Sequence, residues 1–220
     1  MAIIKQGILG GLSGKVGNVV GASWKGIDYL RSLPSHVTNP NTVGQQTTRK
    51  KMNLVVKFLK SCTAMVRIGF NGFAVKMSAF NAATSYNFSQ GISGLFPELD
   101  LNYNALMVAQ GNLAAAISTS VSPLAEGKVV FAWGDNSDAV NAHEGDAALL
   151  LIYNPIKGAS VINTQDYQRN SLTATINLPS EWTGDTVQCY IGFADLARLS
   201  GTQPKDYTSN SVYAGSVVVI

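Results

Sequence analysis

Leu172-Thr173-Ala174-Thr175-Ile176-Asn177-Leu178 and Val187-Gln188-Cys189-Tyr190-Ile191-Gly192-Phe193 decide the fold. In the first, Leu172, Ala174, Ile176 and Leu178 alternate with Thr173, Thr175 and Asn177; in the second, Val187, Cys189, Ile191 and Phe193 alternate with Gln188, Tyr190 and Gly192. A period of two sends every second side chain to the same face, so both read as strands with one buried side. Val129, Phe131 and Trp133 repeat the pattern. Asn104–Gln110, Ala115–Val121, Ala147–Tyr153 and Ser211–Val219 complete a set of about seven strands between turn-rich loops. That count and spacing predict an antiparallel β-sandwich of immunoglobulin or fibronectin III type. The cysteine pair of antibody domains is missing. Cys62 and Cys189 lie in a predicted helix and a predicted strand and read as two buried, inert thiols.

Working back toward the N-terminus, the period lengthens. Val55, Phe58, Leu59, Cys62, Met65 and Val66 recur at helical spacing, with Lys50, Lys57, Lys60 and Arg67 largely opposite. This predicts an amphipathic helix from about Val43 to Ile68, opened by a capping box of Thr42 and Gln45. Ala79–Tyr86 reads as a shorter helix. Ahead of the Pro34–Asn41 linker, residues 7–33 carry glycines at 7, 10, 11, 14, 17, 21 and 26, with β-branched and aromatic residues between them. Glycine disfavours a helix interior, so the stretch reads as two strands, Val16–Ser23 and Ile27–Leu33, around Lys25-Gly26. So many glycines in a ribbon predict that another backbone packs closely against it. The expected class is α+β, mainly β. A glycine-rich hairpin and basic helix occupy residues 1–100, and the sandwich occupies 101–220.

Charge divides in the same way. Up to Asp100 the chain holds 11 basic and 3 acidic side chains, and from Leu101 it holds 5 and 10, so the halves carry +8 and −5 within a formal net charge of +3. A bipolar chain attracts copies of itself, or holds an anionic polymer on one side. The apolar run at residues 7–12 is too short and glycine-rich for a signal peptide, and no stretch has the length to span a bilayer. No membrane partner is expected. Synthesis is expected in the cytoplasm, with incorporation into a virion or extracellular particle as a destination. The final strand reaches Ile220 with no polar tail after it, an edge that either completes its own sheet or accepts another strand.

Reactive constellations are missing from the pattern. Gly14-Lys15 fails the phosphate-loop spacing because Leu9 and Val16 occupy positions that need glycine and a hydroxyl residue. Gly11-Leu12-Ser13-Gly14 lacks the spacing of a nucleophile elbow. The two histidines, His36 and His143, fall in loops with no second histidine or cysteine nearby. The loop from Asp135 to Asp146 gathers oxygen ligands, yet Ser137 and Ala139 break the calcium-loop register. No catalytic residue, cofactor or metal is expected.

The block Gly7–Gly21, GILGGLSGKVGNVVG, with Trp24-Lys25-Gly26 and Tyr29-Leu30-Arg31-Ser32, resembles the opening of an uncharacterised Bacteroidota family known only as a domain of unknown function. The likeness continues through Asn39-Pro40-Asn41-Thr42 into the helix, and resumes at Ser209-Asn210-Ser211-Val212-Tyr213. Asn39, Pro40, Thr42, Gln45 and Arg49 also resemble a short segment of small structural proteins of tailed bacteriophages. The resemblance implies a phage-derived assembly role and carries no catalytic residue.

The leading expectation is therefore a non-enzymatic structural protein that self-associates in a filament, shell or phage-like particle. Its contacts are expected at Gly14, Gly17, Gly21, Trp24, Tyr29 and Arg31. The alternative is a sequence-independent nucleic-acid-associated protein using Lys50, Lys51, Lys57, Lys60 and Arg67. A carbohydrate or adhesion module rests on fold analogy alone, and an enzyme stands last.

Overall fold

The computed structural model describes residues 3–4, 12–24, 27–36, 39–199 and 204–220. They form two compact units, Met1–Thr42 and Val43–Ile220.

The first unit is an antiparallel ribbon in the order β1 (Ile3–Ile4), β2 (Leu12–Val16), β3 (Val19–Trp24), β4 (Ile27–Ser32). Its β2–β3 turn corrects the expected single strand from Val16 to Ser23. Val16 pairs with Val19 across the two-residue loop Gly17-Asn18, and Gly17 sits at φ 55°. A hairpin loop of this length needs a left-handed first residue, which glycine adopts without strain. The Lys25-Gly26 turn and the glycines at 7, 10 and 11 lie outside the described residues.

The second unit holds the sandwich and the helices together. After α1 (Val43–Ser61), α2 (Thr63–Gly69) and α3 (Ala79–Gln90) comes a small hairpin of β5 (Ile92–Leu95) and β6 (Glu98–Leu101). The sandwich follows as β7 (Ile117–Leu124), β8 (Lys128–Gly134), β9 (Ala147–Asn154), β10 (Ala159–Asn163), β11 (Thr173–Asn177), β12 (Thr186–Ala194) and β13 (Val212–Val218). One sheet has the order β11-β8-β7 and the other β10-β9-β12-β13. All their ladders are antiparallel. This is the expected immunoglobulin/fibronectin III-like sandwich, with β13 at the end of its sheet and paired to β12.

Alternation on β9 explains why helices and sandwich share one unit. Ala148, Leu150 and Ile152 join the core between the sheets, with Val129, Phe131, Cys189, Ile191 and Phe193. Leu149, Leu151 and Tyr153 point the other way, into a second core with Val55, Phe58, Leu59, Met65 and Val66 from α1 and α2. Every residue of β9 is buried as a result. Tyr190, read from the sequence as an outward residue of its strand, is buried in the helix-side core as well. Phe58 stands edge-on to Tyr153 with ring centroids 4.9 Å apart. A division at residue 100 would cut this shared core, so the boundary falls at Thr42 instead.

Two further elements differ from expectation. The helix of 43–68 is interrupted at Cys62, where α1 passes to α2. Asn104–Gln110 is irregular rather than a strand, and Ala159–Asn163 supplies the missing one. The irregular segment is held by side chains: Asn87 accepts from Met107 N–H (2.8 Å) and donates to Met107 C=O (2.8 Å), and Ser211 Oγ accepts from Val108 N–H (3.0 Å). Its polar backbone is thus satisfied without a ladder.

Candidate interaction surfaces

The ribbon presents two different faces. Register places Gly14, Gly21 and Leu30 side by side across β2, β3 and β4, with Val16, Val19 and Ser32 as the next row. The opposite face carries Lys15, Val20 and Arg31 in one row and Ala22 and Tyr29 in another. Gly14 has φ 105°, a conformation that side-chain-bearing residues resist, and it faces Gly21 directly. That pairing leaves a smooth strip beside Leu30. Gly21 is buried, whereas Val16, Val19, Ile27, Tyr29 and Leu30 are exposed, Ile27 by 66% and Leu30 by 63%. All six residues of β4 are exposed. Of the expected contacts, Gly14, Gly17, Gly21, Tyr29 and Arg31 therefore sit on one small sheet. Trp24 pairs with Ile27 in register, and its side chain lies outside what is described.

The basic residues separate into a line and outliers. Lys50, Lys57 and Lys60 are exposed and occur at steps of seven and three residues on α1, so they run down one side over about 15 Å. Lys50 Nζ donates to Pro97 C=O, which fixes one end of the line. The Lys57 stem lies over the Gly158 turn, where an added Cβ would meet its Cε at 2.9 Å. Lys51 is half-buried and leaves the line by helix geometry. Arg67 belongs to α2, beyond the break at Cys62. Lys57, Lys60 and Arg67 take part in no ion pair among the described residues.

Two of the oxygen ligands that the acidic loop offered, on Asn136 and Asp146, are taken by the protein's own cation. Arg169, fully buried, donates from Nε to Asp146 Oδ2 (3.1 Å), from Nη1 to Asn136 Oδ1 (2.6 Å) and from Nη2 to Ala114 C=O (3.0 Å). Its guanidinium carbon lies 3.9 Å from the centre of the Phe193 ring. Burial draws the guanidinium pKa below its ordinary range, and the neighbouring Asp146 opposes that shift. Asp135 Oδ1 accepts from Ser137 N–H and Oγ–H, which holds its carboxyl below the usual range. No group of three or more metal-ligating side chains converges among the described residues. Sequence reading missed Arg169 because nothing in its spacing distinguishes a buried arginine from a loop one.

Two concave sites lie among the described residues. A groove of about 400 Å³ beside α1 and α3 is lined by Met52, Asn81, Thr84, Ser85 and Phe88, none of them titratable. A cleft of about 80 Å³ gathers His143, Asp195, Arg198, Asp206 and Tyr207, room for two or three waters. Asp195 Oδ1 there accepts from Ala197 and Arg198 N–H, and Asp206 Oδ1 from Asn112. Both histidines are exposed. Both cysteines are free and buried, and burial pushes each thiol up to about 12. No helix among the described residues is long and apolar enough to cross a membrane.

A glycine ribbon joined to a helix-backed seven-strand sandwich defines the class of protein. The chain belongs to DUF6266, a family of unknown function whose model matches residues 11–215. No curated protein matches it. Among solved structures it is similar to the solution structure of the fn3 domain of human contactin 1, at 10% identity and a TM-score of 0.33, covering 50% of this chain and 82% of that one.

Proposed function

We propose that this is a non-enzymatic structural protein whose ribbon is covered by another copy in an assembly. The observation that carries the reading is the exposure of apolar residues on both faces of the ribbon, together with a wholly exposed β4. Small sheets are marginal in water unless a face is covered, and exposed apolar surface marks interaction sites. Gly14, half-buried opposite the buried Gly21, leaves the β2 side of their row with Leu30 without side-chain bulk. The resemblance of 39–49 to structural proteins of tailed phages agrees, and with it goes incorporation into a particle after cytoplasmic synthesis.

Sedimentation velocity of the full chain tests the proposal. Mass should rise with concentration above the 23.3 kDa monomer, and Ile27→Glu with Leu30→Glu should return it to monomer with an unchanged melting temperature. A monomer at every concentration refutes it.

The line of Lys50, Lys57 and Lys60 favours a second reading, contact with nucleic-acid phosphates of any sequence. Replacing Lys57 and Lys60 by glutamate should then abolish salt-sensitive retention on single- or double-stranded DNA. Retention that persists in the double variant contradicts it.

A further inference from the structure

In the order β1-β2-β3-β4, the outer edge of β4 carries no strand among the described residues. One hydrogen bond sets the direction of its backbone groups. Leu33 N–H donates to Asn18 C=O at 2.7 Å, and this pair continues the register in which Val19 faces Ser32. Antiparallel ladders alternate between residue pairs that exchange both backbone bonds and pairs that exchange none. Ile27, Tyr29 and Arg31 therefore turn N–H and C=O toward β3. Asp28, Leu30 and Ser32 turn theirs to the open edge.

Building on the self-association reading above, we propose that β4 of a second copy pairs antiparallel with this edge about a two-fold axis at Leu30. An antiparallel pair of identical strands with a shared face obeys such an axis. Centred on Leu30, it places Leu30 opposite the second copy's Leu30 and Asp28 opposite the second copy's Ser32. Each outward residue of β4 then exchanges both backbone groups within the strand. Centred on Tyr29, the pairing runs past the start of β4 and leaves Ser32 without a partner inside it.

The side chains fit the same register. Tyr29 and Arg31 share one face of the ribbon and become cross-strand neighbours, each arginine against the second copy's tyrosine ring. On the other face two exposed leucines meet, and the Asp28 carboxylate faces a serine hydroxyl. No like charges stand directly opposite, which cross-strand pairing would penalise. This order within Ile27–Ser32 complements itself, and a second copy is the occupant it fits. The contact closes a dimer that joins two ribbons into one continuous sheet.

Cysteine cross-linking of the full-length protein under mild oxidation tests the register. The native thiols Cys62 and Cys189 are buried and stay silent. Leu30→Cys should convert to a disulfide dimer, because facing Cα atoms in a hydrogen-bonded pair lie about 5.5 Å apart, within disulfide reach. Asp28→Cys alone should remain uncrosslinked, and its mixture with Ser32→Cys should give the mixed dimer. As a second readout without engineered thiols, rising protein concentration should slow hydrogen exchange at the Asp28, Leu30 and Ser32 amides by about tenfold or more. If sedimentation shows association but Leu30→Cys fails to cross-link, or Asp28→Cys cross-links alone, the β4 pairing is overturned and self-association stands. A monomer at all concentrations overturns both.

Discussion

The ribbon and the body differ in how much core they close: both buried clusters belong to the body. In residues 43–220, β9 is buried on both faces, and Phe58, Leu59, Met65 and Val66 are fully covered by their own chain. In residues 12–32, Val16, Val19, Ile27, Tyr29 and Leu30 are exposed on strands with regular ladders. The body closes two cores within one chain, although Leu95, Val140 and Ile156 stay exposed on its surface. The ribbon has the regular backbone of a sheet and contributes to neither core among the described residues, and on the proposed reading a second molecule supplies its cover.

Substitutions in the body should give the largest losses of stability. Removing the guanidinium of Arg169 by Arg169→Ala strands Asp146 in the interior and should destabilise the fold by about 3–5 kcal/mol. Phe58→Ala opens a cavity against Tyr153 and Tyr190 and should cost about as much, roughly 3–5 kcal/mol. Urea denaturation monitored by far-ultraviolet circular dichroism reads both. A change below about 1 kcal/mol at either position would blur the distinction between the regions.

Next in size are the ribbon's backbone positions. Gly14→Ala forces a side chain into φ 105°, and should weaken the ribbon by about 1–3 kcal/mol with the body's urea transition unmoved. Hydrogen exchange separates the two effects: faster exchange in residues 12–32 alone is expected, and faster exchange throughout the body contradicts independent units.

Alkaline titration gives an effect confined to the body. The Cys62 and Cys189 thiols are pushed from an ordinary 9.0 up to about 12 by burial, so the folded state keeps protons that the unfolded chain releases. Their contribution is fully present below about pH 9 and is lost as pH rises toward 12. Native protein at pH 7.5 should resist thiol-reactive dyes, and unfolding in urea should expose both cysteines. Labelling of the folded protein would contradict their burial. Smallest of all, Lys57→Glu with Lys60→Glu should change stability by less than about 0.5 kcal/mol while removing any polyanion binding.

The sequence made some of this architecture legible for physical reasons. Alternation in Thr173–Asn177 and Thr186–Ala194 marks strands because one face enters the inter-sheet core. The helical spacing of Val55, Phe58 and Leu59 is plain, but what that face meets is not: Leu149, Leu151 and Tyr153 lie far along the chain. Ala159–Asn163 escaped notice because its residues are all half-buried and show no alternation. Asn104–Gln110 imitated a strand because Asn87 and Ser211, distant in sequence, satisfy its backbone. The Gly17-Asn18 hairpin was readable in principle, as two residues between Val16 and Val19, and the density of neighbouring glycines hid it. Among the basic residues, Lys50, Lys57 and Lys60 were readable as one side of a helix, while the departure of Lys51 and Arg67 needed the helix phase and the break at Cys62.

Sedimentation equilibrium of the intact chain at rising concentration, beside Ile27→Glu/Leu30→Glu, bears most directly on the claim that another copy covers the ribbon. The account predicts a concentration-dependent oligomer that the double substitution reduces to the monomer mass. A 23.3 kDa species across the whole range, identical for both proteins, would contradict it.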